Sequence, residues 1–86
     1  MWSLKAKINQ EGEIEIEVNN QKTEIDAAVN NTSTTYLLPK EEPSFELDGE
    51  KIDFIVEGET LYAITDARVR FIYDEATGVL EIEEVD

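Results

Sequence analysis

The strongest constraint in this sequence is alternation. In Glu13-Ile14-Glu15-Ile16-Glu17-Val18 every second residue is apolar and its neighbours are carboxylates. A strand sends successive side chains to opposite faces, so this pattern gives a strand one dry face and one wet face. A helix would scatter the same isoleucines around its circumference. The period recurs in Trp2, Leu4, Ala6 and Ile8, and again in Arg68-Val69-Arg70-Phe71-Ile72-Tyr73 and Val79-Leu80-Glu81-Ile82-Glu83.

Short turn signals separate the alternating stretches. Asn9-Gln10-Glu11-Gly12 suits a type I turn closing into a glycine bulge. That turn sets Lys7 opposite Glu15 and Lys5 opposite Glu17, and puts both apolar sets on the other face. A slip of one residue would expose every isoleucine, so the pattern fixes its own register. Asp48-Gly49 suits a two-residue turn with positive φ at both positions, pairing Phe45 with Ile52. The stretch from Val56 to Thr60 turns again, with Phe54 expected opposite Leu61 and Ile52 opposite Ala63. Tyr62 and Ile64 then fall on the second face. A four-residue loop, Glu75 to Gly78, pairs Tyr73 with Leu80, Phe71 with Ile82 and Arg70 with Glu83.

Between these hairpins the signal is weaker. Thr23 to Asn30 fits either a third strand or a short helix; Ala27-Ala28 and the spacing of Ile25 and Val29 favour the helix. Asn30 to Thr35 reads as a polar loop, and Tyr36-Leu37-Leu38 as a short buried strand stopped by Pro39. Pro39 to Pro43 reads as a connector, because a residue before proline is driven to extended geometry.

The expected fold is all-β, a mainly antiparallel meander of about seven to eight short strands forming a small barrel or sandwich. It is read as a single domain over residues 1–86, with one short helix near residues 24–30. Its expected core includes Leu4, Ile14, Ile16, Phe45, Ile52, Phe54, Leu61, Phe71 and Ile82, and most aromatic residues stand at core-parity positions.

Composition narrows function by exclusion. The chain of 86 residues contains no cysteine and no histidine. A disulfide framework and a thiolate metal site are ruled out, and the usual general base and near-neutral switch are missing. No glycine-rich phosphate loop, zinc spacing or nucleophile elbow occurs. The segments Asp48-Gly49-Glu50 and Asp74 to Gly78 carry carboxylates beside glycine but lack the ligand pattern of a calcium loop. Paired acids such as Glu81 and Glu83 arise by chance in so acidic a chain and do not argue for glycosidase chemistry. The expectation is a protein that is not an enzyme, with no cofactor and no metal. No apolar run long enough for a membrane helix occurs, and the stretch from Met1 to Lys5 has no signal-peptide core, so a cytoplasmic setting is expected. The sequons at Asn30 and Asn31 are read as loop polarity.

Charge is the positive clue. Asp and Glu number 21 against 7 Lys and Arg, a net charge of −14. Residues 1–43 carry 8 acids and 4 bases, residues 44–86 carry 13 and 3, giving balances of −4 and −10. Such a chain repels nucleic acid and anionic membranes and attracts basic partners. The expected function is an acidic interaction module for a basic protein, with Asp48, Glu50, Asp53, Glu57, Glu59, Glu81 and Glu83 as the binding carboxylates. In its most specialised form this would be an inhibitor whose carboxylate lattice imitates DNA phosphates. The regular turns also fit a second reading, a de novo designed or purely structural β scaffold with no activity of its own.

Overall fold

Alternation and turn chemistry produce eight antiparallel strands in the computed structural model, which describes residues 2–20 and 33–85. They are β1 Trp2–Ile8, β2 Ile14–Asn20, β3 Ser33–Leu38, β4 Ser44–Leu47, β5 Glu50–Glu57, β6 Thr60–Thr65, β7 Val69–Asp74 and β8 Val79–Glu84. Five form one sheet in the order β3-β2-β1-β8-β7, and three form a second in the order β4-β5-β6. The expected helix near residues 24–30 lies outside the described residues.

The turns act as their residues dictate. Asn9 Oδ1 accepts from the Glu11 and Glu13 amides at 3.0 and 2.9 Å, and Gly12 takes φ 82° to close the bulge. Lys5 and Lys7 stand opposite Glu17 and Glu15, as expected. Asp48 and Gly49 both have positive φ, and Phe45 faces Ile52. The last hairpin is also in the expected register, with Tyr73 opposite Leu80 and Phe71 opposite Ile82.

One register differs. Phe54 faces Ala63 and Val56 faces Leu61, two residues away from expectation. The turn is made by Gly58-Glu59, with Gly58 at φ 64°. A type II′ turn needs glycine at its first central position, and this moves the hairpin tip by one residue. A two-residue shift keeps every side chain on its face, so the core survives it.

The inner faces of the two sheets bury Trp2, Leu4, Ala6, Ile14, Ile16, Val18, Leu80 and Ile82 against Ile52, Phe54 and Leu61. Fully burying each large side chain contributes on the order of 1.5–3 kcal/mol. Three expectations need correction. Phe71 has the right parity but is 47% exposed, because the narrower sheet covers β1 and β8 and stops short of β7. Tyr36 and Leu37 are exposed as well: Tyr36 because β3 is an edge strand, and Leu37 because it stands opposite Glu15 on the outer face. That strand begins at Ser33, so the polar stretch Ser33 to Thr35 is strand and not loop.

The sheets do not close into a barrel. Their strand orders nevertheless trace a complete eight-strand cycle, since β8 returns to pair with β1. The cycle is broken at two seams, β3/β4 and β6/β7.

Candidate functional site

The two seams are built differently. At β3/β4, the ring of Tyr36 meets that of Phe45 with centroids 5.1 Å apart. The connector ties down there too: the Phe54 amide donates to the Pro43 carbonyl at 2.8 Å, and the Ser44 amide to Glu42 at 2.9 Å. Lys40 reaches back over Gly12, where an added Cβ would come within 3.1 Å of Lys40 Cε.

At β6/β7 the strands are joined only at one corner. Thr65 Oγ1 donates to the Lys51 carbonyl at 2.8 Å and accepts from the Ala67 amide at 3.2 Å, which turns the chain out of the small sheet. The Val85 amide then donates to the Arg68 carbonyl at 2.9 Å and fixes the start of β7. Beyond that corner no ladder joins β6 to β7. Between them lies a groove of about 1080 Å³, lined by Leu61, Tyr62, Ala63, Phe71, Tyr73 and Leu80. Ile8, Asn9, Glu59, Thr60 and the loop Glu75 to Gly78 line it as well.

Exposed apolar side chains occur on both strands. Tyr62 and Ile64 lie on the outer face of the small sheet with Ile55 of β5, at 49%, 61% and 39% exposure. Phe71 and Ile72 are exposed on opposite faces of β7. The edge strand β6, Thr60-Leu61-Tyr62-Ala63-Ile64-Thr65, contains neither charge nor proline. Edge strands commonly carry such residues to prevent pairing with other chains.

The seven carboxylates expected to bind a partner are not brought together. Asp48 and Glu50 lie at one end of β5 and Glu57 at the other, with Glu59 just beyond it in the β5–β6 turn. Eight residues of strand span roughly 24 Å. Asp53 is on the outer face of the small sheet, where it lies 3.9 Å from Lys51 Nζ. Glu81 and Glu83 are on the outer face of the large sheet, on the opposite side of the core. There Glu81 is in register with Lys5, and Glu83 lies 3.9 Å from Arg70 Nε.

The meander collects a different set. Consecutive turns alternate between the two ends, so the β1–β2, β3–β4, β5–β6 and β7–β8 connections share one end. Contact of Lys40 with Gly12, and of Asn9, Glu59 and Glu75 with one groove, confirms this placement. Glu11, Glu13, Glu41, Glu42, Glu57, Glu59, Asp74 and Glu75 are all carried in or beside these connections, with Lys40 as their one cation. Linear sequence separates these acids by up to sixty-odd residues, so a charge balance by halves misses them; counting by alternate turns of a meander finds them. Among the described residues, no group of three or more acidic side chains is placed to hold a metal ion, and no described helix is long and apolar enough to cross a membrane.

Comparison of the chain with protein-family models, curated proteins and solved structures finds no match.

Proposed function

We propose that this chain is a non-enzymatic binding module that receives a basic protein partner at the end bearing its β1–β2, β3–β4, β5–β6 and β7–β8 connections. The observation that carries the reading is the collection of Glu11, Glu13, Glu57, Glu59, Asp74 and Glu75 at that end beside a single Lys40. Carboxylates on the outer face of the large sheet support it less, because Lys5, Lys7 and Arg70 stand among them. Association would be fast and salt-sensitive, since complementary fields steer encounter and are screened within about 10 Å at moderate ionic strength. An inhibitor imitating nucleic acid is the specialised form of this reading. It requires that duplex DNA and the module exclude each other from one basic protein.

The test compares charge reversals at the two ends, with poly-lysine as the basic probe. Reversing Glu57, Glu59, Asp74 and Glu75 to lysine should weaken association far more than reversing Asp48, Glu50 and Asp66. Losses that track only the number of charges changed would refute a localised site.

A second reading is a designed or purely structural scaffold. The agreement of turn residues with turn geometry at Gly12, Asp48, Gly49, Gly58 and Gly78 favours it. A thermal midpoint above roughly 90 °C would strengthen it.

A further inference from the structure

We infer that the groove between β6 and β7 is a docking site for an extended segment of the partner, added as a strand with apolar side chains at alternate positions and basic ones at the end that meets Glu59 and Glu75. The inference rests on the proposed basic partner and specifies how that partner is held.

Three observations converge on this occupant. First, among the described residues both walls are free strand edges: β6 pairs only with β5, and β7 only with β8. Each edge presents unpaired backbone N–H and C=O groups, which an incoming strand satisfies and a compact apolar molecule does not. Second, apolar side chains line the groove from both strands. Leu61, Ala63, Phe71 and Tyr73 alternate with residues of opposite facing along their strands, so they meet every second side chain of an added strand. Third, the rim is acidic on both sides. Glu59 and Glu75 border the groove, and Glu57 and Asp74 are close to them in the chain. A lysine or arginine at the guest's end nearest the β5–β6 and β7–β8 turns would therefore find a carboxylate on either side.

The same rim argues against a second copy of this chain. A module of net charge −14 would bring like charges to like at the groove mouth. The edge that lacks its own protective charges is instead selective for a strand that supplies positive ones.

The experiment titrates the full chain with a blocked Lys-Val-Lys-Ile-Lys-Val peptide. A second titration uses the same peptide with its alternate backbone amides N-methylated. Methylation leaves charge and side chains intact but removes the donors needed along one edge. The unmodified peptide should bind about tenfold or more tightly than the methylated one, and it should slow amide exchange in β6 or β7. E59K/E75K, both exposed positions, should weaken the unmodified peptide by about tenfold or more at low ionic strength.

Equal binding of the two peptides would overturn strand addition while leaving the basic-partner reading intact. Failure of both peptides and of poly-lysine would overturn both. Sedimentation of the free chain tests the rival occupant: a dimer dissociated by I64K would assign the edge to a second copy and overturn the proposal.

Discussion

The β3/β4 and β6/β7 seams are the same kind of break in the same strand cycle, yet one is bridged by a ring pair and the other is open. The first has a proline-bounded connector, a ring pair and a backbone hydrogen bond from Phe54 to Pro43. The second has a three-residue corner and then, among the described residues, no ladder between two strand edges. The first break is thus crossed by a ring pair while its connector is tied to β5, and hydrophobicity of the walls is not the difference, since Phe71 and Tyr62 are as apolar as Phe45 and Tyr36. A small sheet of three strands cannot cover five. The uncovered width falls on both outer strands, leaving Tyr36 of β3 and Phe71 of β7 exposed, and the groove lies at the β7 side.

Phenylalanine occurs on both sides of this comparison, so truncation can break it. Phe54→Ala, at a site 2% exposed beside the bridged seam, should cost about 3–5 kcal/mol. Small domains have only about 5–15 kcal/mol in total, so this variant should be largely unfolded. Denaturation followed by fluorescence of the buried, single Trp2 reads it out directly. Phe45→Ala removes a half-buried ring and its partner contact with Tyr36, and should cost about 1–3 kcal/mol in the same assay. Phe71→Ala should cost less than about 1 kcal/mol, because the ring is already wet, while weakening the Lys-Val peptide. A loss at Phe71 equal to that at Phe54 would mean that the groove is core. The smallest effect is expected from E59K/E75K, within about 0.5 kcal/mol of the parent in stability, so that any change in binding is a surface effect.

The residues that set faces and turns were legible from the sequence. Asp48-Gly49, Asn9 to Gly12 and Glu75 to Gly78 each have a local geometry that their own side chains or φ preferences demand. Register at Gly58 was not legible from alternation, because a slip of two leaves the pattern unchanged; only the preference of a II′ turn for glycine at its first position separates the two choices. Burial of Phe71 was misjudged for a related reason. Parity tells which face a residue takes, but coverage depends on how many strands the opposite sheet holds. The seven expected carboxylates rest on the charge balance of residues 44–86 and on a lattice of strand spacings, and neither shows which sheet a strand joins. Pairing of β8 with β1 is long-range, so the proximity of Lys5 to the Glu81 row could not be seen. The groove left one trace in the sequence, the absence of charge and proline from Thr60 to Thr65, and it gains meaning only once β6 is known to be an edge.

The central claim is that the β6/β7 seam is open in the free chain, and amide hydrogen exchange tests it most directly. The backbone amides of β1 and β8, paired on both sides, should be strongly protected. Those amides of β6 and β7 that point into the seam should exchange almost as fast as in an unstructured peptide, while the amides between them that pair with β5 and β8 remain slow. Uniform protection along β6 and β7 in the free monomer would contradict the account, since it would mean that the two strands already bond across the groove.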